Sequence, residues 1–224
     1  MRLILFDVDG TLVDSQAHIV AAMNAAFAAV GRTPPGREDI LSIVGLSLPR
    51  AMEVLAPCID TAILVEAYKT AYRDLRSTHG ESTASPLFPG VSTLLESLHS
   101  EPETFLGVAT GKSRRGLVHL MEVHDLARYF QTRQDADGHP SKPHPSMARA
   151  AMEETGCVRG VMVGDTTFDL EMGRAAGLAT LGVTWGYHHA DRLERHADAL
   201  VSRVDEVHTA LDRLCPATEA EPKA

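Results

Sequence analysis

Short apolar runs alternate with amphipathic helical segments from Pro89 to the end of the chain, and this alternation restricts the possible folds most strongly. Runs too short for a helix are typical of strands buried on both faces of a parallel sheet. Helices between such strands supply the crossovers that parallel pairing needs. The pattern predicts helices over 91–99, 113–124, 145–155, 168–176 and 204–214, and strands over 105–109, 129–131, 160–163, 179–183 and 199–201.

The N-terminal part adds one more strand and a helical module. The apolar run Leu3–Phe6 predicts a buried strand of the same sheet. Between residues 15 and 85 the apolar residues recur at helical spacing, which predicts helices over 18–30, 40–55 and 61–75. We therefore predict a Rossmann-like α/β fold, with helices on both faces of a parallel sheet. Residues 1–14 and 86–215 would form this core domain, residues 15–85 an inserted all-helical domain, and residues 216–224 a flexible tail.

Composition narrows the class of partner. The 224 residues carry a net charge of −9, which argues against nucleic acid or an acidic membrane as the main partner. The three cysteines (Cys58, Cys157 and Cys215) form no Cys-x-x-Cys pair, so a disulfide framework or a thiolate metal site is not indicated. We expect a cytoplasmic protein that acts on a small molecule, as a monomer or a homodimer.

Polar residues that a core strand does not need follow the first predicted strand. Asp7 and Asp9 stand two residues apart in the run Asp-Val-Asp-Gly-Thr, and residues at this spacing on a strand share one face. Two adjacent carboxylates repel each other unless a cation or a shared proton lies between them. Such a pair is useful in catalysis, because its environment can make one group a nucleophile and the other an acid.

Three further strand ends carry similar signals. Thr110 and Gly111 follow the strand over 105–109, where a hydroxyl and an exposed amide at a helix start can bind an anion. Lys142 stands between two prolines, which restrict the backbone. Asp165 and Asp169 follow the strand over 160–163, four residues apart, and can reach the same point if a helix begins between them.

Four acids at one edge of a sheet predict a metal site. A pocket with so much negative charge requires a hard divalent cation, and ligands that are all oxygen favour Mg²⁺ over Zn²⁺. The chain has 11 histidines, but none stands in a ligand pattern such as His-x-x-x-His on a helix.

These segments resemble the four sequence motifs of the haloacid dehalogenase-like hydrolase superfamily. Asp7 and Asp9 match its first motif, Thr110 its second, Lys142 its third, and Asp165 with Asp169 its fourth. The inserted helical module is similar to the helical type of cap domain. The resemblance covers nearly the whole chain, and it is strongest to phosphoglycolate phosphatases and related phosphatases of small esters.

The resemblance implies a reaction through an aspartyl-phosphate. Asp7 would attack phosphorus, and Asp9 would protonate the leaving oxygen and then activate water. Thr110, Gly111 and Lys142 would hold the phosphoryl oxygens. Mg²⁺ would be bound by Asp7, the backbone carbonyl of Asp9, and Asp165, with Asp169 as a direct or indirect ligand.

Other reactions of the superfamily remain as alternatives. Asp9 argues against a dehalogenase, because a halide leaving group needs no proton. The β-phosphoglucomutase-like branch typically carries a histidine where this chain has Ile19, while His18 is one residue short. A pyrophosphatase of the same superfamily and a protein that binds a phosphorylated metabolite without catalysis are the remaining alternatives.

Residues in the cap and in two loops are candidates for substrate contacts. The segment 44–50 resembles the substrate-facing loop of the phosphoglycolate phosphatases, which makes Arg50 a candidate for binding a carboxylate or a distal phosphate. Lys112 would add positive potential at the mouth of the site. The loop 185–189 follows the last clear strand and is a candidate for lining the cleft.

Overall fold

The computed structural model describes residues 1–79 and 85–217. Six strands in this part form one parallel sheet in the order β3-β2-β1-β4-β5-β6. The strands are β1 (Arg2–Phe6), β2 (Thr104–Ala109), β3 (Thr132–Gln134), β4 (Gly160–Gly164), β5 (Ala179–Val183) and β6 (Ala199–Val201). The helices are α1 (Gln16–Ala29), α2 (Arg37–Ser42), α3 (Leu48–Leu55), α4 (Thr61–His79), α5 (Val91–His99), α6 (Arg114–Val123), α7 (Ser146–Thr155), α8 (Thr167–Ala176), α9 (Ala190–Leu193) and α10 (Val207–Leu214).

Side chains of β1 alternate between two hydrophobic clusters, one on each face of the sheet. Ile4 and Phe6 pack in a cluster that also contains buried residues of α5, α6 and α10. Leu3 and Leu5 pack in a second cluster with residues of α7 and α8. The period of two residues along the strand thus produces three layers, with helices on both faces, and the predicted α/β fold is confirmed.

The register of the central strands brings their carboxyl ends to one level. Phe6 lies opposite Val108 in β2 and opposite Val163 in β4. Asp7, Thr110 and Asp165 follow these three strands within a few residues. Ligand crevices of parallel α/β sheets lie outside such strand ends.

The prediction of a strand over 129–131 is wrong, because β3 begins at Thr132. Tyr129 and Phe130 are buried in the hydrophobic cluster beside α6 and do not pair with β2. β3 lies at the edge of the sheet, and its residues are Thr, Arg and Gln, of which Thr132 and Gln134 are buried. Because this edge strand has no apolar residue, the hydrophobic pattern could not locate it.

The single helix predicted over 40–55 is also wrong, because two helices, α2 and α3, occupy this region. Gly45 lies between them with φ +100°, which favours glycine and interrupts the helical path. Val44 and Leu46 form a small parallel bridge around it. The turn places the segment 44–47 against the rest of the protein, as described below.

The helices α1 to α4 share a hydrophobic cluster, which includes Met23, Ile40, Met52 and Leu64 and which Tyr187 of the α/β part joins. The chain leaves and re-enters the α/β part at one point, since the Asp14 amide donates to the Pro86 carbonyl at 2.8 Å. We propose that residues 15–85 form an inserted cap domain and that residues 1–14 and 86–215 form the core. The cluster that these helices share and the common entry point support this division.

The predicted flexible tail, 216–224, lies outside the described residues from 218 onwards. In the part of the chain that the structure describes, no helix combines the length and apolar character needed to cross a membrane. All three cysteines are free; Cys58 is exposed, and Cys157 and Cys215 are buried.

Candidate active site

The loop after β1 carries Asp7 and Asp9, and it is a tight turn, not a continuation of the strand. The amides of Leu12 and Val13 both donate to the Val8 carbonyl, at 2.9 and 3.0 Å. The argument that Asp7 and Asp9 share a strand face therefore does not apply, because β1 ends at Phe6. Both side chains nevertheless line the same cavity.

Gly10 allows this loop to approach the end of β4. It adopts φ +85°, and a Cβ at this position would lie 2.2 Å from Asp165 Oδ2. Only glycine can occupy such a position without moving the carboxylate. The Asp-x-Asp-Gly sequence thus brings the end of β1 into direct contact with that of β4.

Lys142 connects Asp7 with Asp169. Its buried Nζ donates to Asp7 Oδ1 at 2.8 Å and to Asp169 Oδ1 at 2.5 Å. Burial alone would lower the pKa of Lys142, but the Asp169 and Asp7 carboxylates outweigh it and raise that pKa above its ordinary value. Lys142 therefore stays protonated, and a buried positive charge lies beside Asp7.

Asp165 and Asp169 lie at the start of α8, where the sequence predicted a helix between them. Thr166 is the N-cap of this helix and forms a capping box with Asp169. Asp165 accepts a hydrogen bond from Thr11 Oγ1 at 2.8 Å and one from the Tyr187 amide at 2.9 Å. Both carboxylates are fully buried, and these bonds fix their orientation.

Asp7, Asp165 and Asp169 form a buried cluster in which one carboxylate oxygen of each lies within 4.8 Å of the others. Asp7 Oδ2 is buried and has no hydrogen-bond partner in the described part of the chain. Burial raises the pKa of Asp7 to about 7 and also raises that of Asp165. A divalent cation fits this cluster, because it would supply a partner for Asp7 Oδ2. It would also offset the negative charge of the three carboxylates that Lys142 alone does not neutralise.

The side chain of Asp9 is not part of this cluster and has different partners. Lys112 Nζ donates to Asp9 Oδ1 at 2.9 Å, and Ser15 Oγ hydrogen bonds to the same oxygen. The Tyr187 hydroxyl lies 3.0 Å from Ser15 Oγ and accepts from the Ser15 amide at 3.2 Å. Ser15 was not predicted as a site residue, because a serine before a helix is more often a simple N-cap.

Thr110 is buried at the end of β2, and its hydroxyl accepts from the Lys112 amide at 3.3 Å. Gly111 lies directly beneath the turn between α2 and α3. A Cβ on Gly111 would come within 2.4 Å of the Leu46 carbonyl oxygen and 2.7 Å of that of Gly45. At the end of the same turn, the Ser47 amide donates to Ser141 Oγ at 2.9 Å. The α2–α3 turn therefore rests on the loops that carry Thr110 and Lys142.

The loop after β5 supports the site from the other side, but residues 185–189, which were candidates for lining the cleft, are not among the residues that line the cavity. Tyr187 contacts Asp165 and Ser15, as described above. His188 Nδ1 accepts from the Thr167 amide at 3.1 Å, and its Nε2 lies 3.1 Å from the Ser42 carbonyl oxygen. Burial lowers the pKa of His188, so it acts as a neutral link between α8 and the end of α2.

A cavity of about 610 Å³ lies between the helical region and the strand ends. Asp7, Asp9, Thr110, Gly111 and Lys112 line it on the core side. Its other wall is formed by the α2–α3 turn and by α4, including Tyr68, Tyr72, Arg73 and Arg76.

The structure gives no support to Arg50 as a substrate-binding residue. Its exposed side chain is ion-paired with Glu53 at 2.9 Å, and Arg50 is not among the cavity-lining residues. The lining residues of α4 were not predicted, because the sequence alone does not show which helical face meets the strand ends.

Comparison with known proteins identifies the family of this chain. A family model described as haloacid dehalogenase-like hydrolase matches residues 4–183. A probable phosphatase IndB of Dickeya dadantii (strain 3937) is 36% identical over 197 residues, which cover 86% of this chain and 85% of that protein. A phosphoglycolate phosphatase of Agrobacterium fabrum is 32% identical over 209 residues, with 89% and 87% covered.

Solved structures show the same fold. A predicted phosphatase from Clostridium acetobutylicum superposes with a TM-score of 0.81 at 26% identity, over 95% of this chain and 99% of its own. A hydrolase from Pseudomonas syringae gives a TM-score of 0.83 at 23% identity, over 96% and 99%. The predicted family is confirmed: the chain belongs to the haloacid dehalogenase-like hydrolases and is an enzyme of their phosphatase type.

Proposed function

We propose that this enzyme is a Mg²⁺-dependent phosphatase that hydrolyses a small phosphate monoester, similar to phosphoglycolate, through an aspartyl-phosphate on Asp7. One observation carries the proposal. Asp7 lines the cavity with one oxygen held by Lys142 and the other buried without a partner, while Asp9 lines the same cavity. The names of the relatives from Dickeya dadantii and Agrobacterium fabrum support a phosphate ester as substrate.

The first step transfers the phosphoryl group to Asp7. A carboxylate oxygen of Asp7 forms a bond to phosphorus as the bond to the ester oxygen breaks. Asp9, in its protonated form, donates its proton to that leaving oxygen, which departs as an alcohol. Ser15 and Lys112 hold the Asp9 carboxyl group at a fixed place beside the cavity.

The second step releases inorganic phosphate. Asp9, now ionised, removes a proton from a water molecule, and the water oxygen attacks phosphorus as the bond to Asp7 breaks. Asp9 is thereby protonated again, and the enzyme returns to its starting state. Lys142 remains charged throughout and offsets negative charge next to Asp7, since phosphoryl transfer depends mainly on positioning and charge neutralisation.

Asp7, Asp165 and Asp169, with the backbone carbonyl of Asp9, would hold the metal ion. Mg²⁺ in this place would neutralise charge on the phosphoryl oxygens and on the carboxylates. The hydrogen bonds from Thr11 to Asp165 and from Thr166 to Asp169 would keep these two ligands in position. They are compatible with a bound metal ion, because a carboxylate oxygen can accept more than one contact.

The mutase alternative is less well supported by the geometry. His18 Nε2 lies 3.2 Å from the Tyr72 carbonyl oxygen, and its ring packs edge-on against the Tyr72 ring at 4.3 Å. Ile19, not His18, lines the cavity. The histidine is thus used in packing between α1 and α4.

The direct test is hydrolysis of a panel of esters by the purified protein. With Mg²⁺ we expect release of phosphate from an aryl phosphate and from phosphoglycolate. EDTA should stop the reaction and added Mg²⁺ should restore it, and Asp165→Asn should need far more Mg²⁺. Sugar phosphates and pyrophosphate are included in the same panel to test the mutase-like and pyrophosphatase alternatives. Absence of metal-dependent turnover on every ester would contradict the proposal and favour a binding protein.

A further inference from the structure

One face of α4 forms a wall of the cavity opposite the catalytic carboxylates. Val65, Tyr68, Tyr72 and Arg76 follow one another at intervals of three or four residues and all line the cavity, together with Lys69 and Arg73. This spacing places them in a single stripe along the helix. The same cavity is lined by Asp7 and Asp9 on the core side, so a bound molecule can contact both walls at once.

The stripe is basic, although the chain as a whole has a net charge of −9. Glu66 is the acidic lining residue on α4 and forms an ion pair with Lys69 at 2.8 Å, and Asp137 lines the cavity from the core side. Among the lining residues of α4, the three basic ones, Lys69, Arg73 and Arg76, outnumber the one acidic residue, Glu66. Arg73 donates to the uncharged hydroxyl of Thr70 at 3.2 Å, so its positive charge is not balanced by that contact.

A further cation faces the same space from the core. Arg115, in the first turn of α6, is exposed and lines the cavity. The Lys112 ammonium lies deeper, between Asp9 at 2.9 Å and the Tyr72 ring at 5.8 Å from its centroid. Positive charge thus extends from the acid Asp9 outwards to Arg73 and Arg115.

We propose that Arg73 and Arg115 form a subsite for a second anionic group of the substrate, a carboxylate or a second phosphate, at the end away from the scissile bond. This inference rests on the proposed phosphatase function and narrows its substrate to esters that carry such a group. Arginine binds planar anions through two parallel hydrogen bonds. Asp7 and Lys142 would hold the reacting phosphoryl group while the two arginines orient the other end.

The test compares esters that differ only in the distal group. We would measure kcat/KM for phosphoglycolate, for a bisphosphate and for the neutral ethyl phosphate, with wild type, Arg73→Gln, Arg115→Gln and the double variant. The preference for the acidic esters over ethyl phosphate should fall at least about tenfold in the double variant, because losing a single hydrogen bond to a charged group already accounts for about that factor. Arg32→Gln, which removes one exposed charge of the cap away from the cavity, is the matched control.

The outcomes separate this inference from the proposed function. If the double variant changes kcat/KM by the same factor for the acidic and the neutral esters, or changes neither, the subsite is contradicted while the phosphatase function stands. Absence of hydrolysis of all three esters by the wild type contradicts the phosphatase function itself. A loss of preference in Arg50→Gln, with none in Arg73→Gln or Arg115→Gln, would place the subsite on α3 and overturn our assignment.

Discussion

At the scale of single residues, Tyr187 connects the two halves of the catalytic centre. Its amide donates to Asp165 at 2.9 Å, and its hydroxyl contacts Ser15, which in turn holds Asp9. One residue of the loop after β5 therefore supports both the acidic cluster and the proposed general acid. The Trp185 indole donates to the Thr11 carbonyl at 3.2 Å and fixes the same loop to the turn after β1.

We expect Ser15→Ala to lower kcat about tenfold for an alkyl ester, because Asp9 would lose a bond that fixes its position. The loss should be smaller for an aryl phosphate, whose leaving oxygen needs less help from an acid. Steady-state kinetics on both esters would show the difference. Tyr187→Phe should give the same pattern, and Ser100→Ala, on the exposed surface, is the control. An equal loss on both esters would contradict the positioning role.

At the scale of elements, the hydrophobic pattern of the sequence located the apolar strands but did not locate the polar edge strand β3. The bounds of β5, β6 and α5 agree with the prediction residue for residue, because apolar side chains fill most of their buried positions. β3 was misplaced because its pairing with β2 determines its position, and this pairing leaves no hydrophobic pattern. The break between α2 and α3 depends on Gly45, which has a positive φ and also lies against Thr166, where a Cβ would come within 3.0 Å of Oγ1.

The contact between Gly111 and the α2–α3 turn leads to a prediction about the seating of the cap. We expect Gly111→Ala to lower kcat/KM severalfold or more, because its Cβ would overlap the Leu46 and Gly45 carbonyl oxygens and move the turn away from the site. Kinetics with an aryl phosphate would measure the effect. Gly138→Ala, whose Cβ would lie 3.8 Å from the nearest atom, is the control. Unchanged kinetics in Gly111→Ala would mean that the turn does not need this contact.

At the scale of the whole molecule, the sheet and the convergence of its polar strand ends could be predicted from the sequence, since parallel strands bring their carboxyl ends together. The partners of Asp9 and the cavity-facing side of α4 could not be predicted, because they depend on how the inserted helices are placed over the sheet. Nor could the burial of Arg2, which lies at the opposite end of β1.

Arg2 connects β1 at that end with the segment before β2 and with the end of α10. Its guanidinium donates to Glu101 at 2.7 Å, to Asp212 at 2.8 Å and to the Cys215 carbonyl at 2.7 Å. Burial alone would raise the pKa of Glu101, but hydrogen bonds from Arg2, Thr104 and His208 outweigh it and hold that pKa below its ordinary value.

This network predicts how folding stability depends on pH. A lowered folded-state pKa means that Glu101 stabilises the fold above the ordinary carboxyl pKa of about 4.3, and that this contribution is lost as pH falls through the lowered value. Glu101→Gln should therefore show a smaller drop in Tm than wild type between about pH 6 and pH 3. Thermal unfolding across this range measures it, with the exposed Glu122→Gln as the control. Parallel curves for wild type and Glu101→Gln would contradict the account.

The central claim, that Asp7 is the nucleophile, is tested most directly by trapping the phosphorylated protein. In Asp9→Asn an aryl phosphate should still transfer its phosphoryl group, because its leaving oxygen needs little proton donation, whereas hydrolysis would lack its base. Acid quenching followed by mass spectrometry of the peptides should then find a phosphoryl group on Asp7, and Asp7→Asn should show none. Release of the aryl alcohol without protein-bound phosphate, or phosphate on any other residue, would contradict the claim.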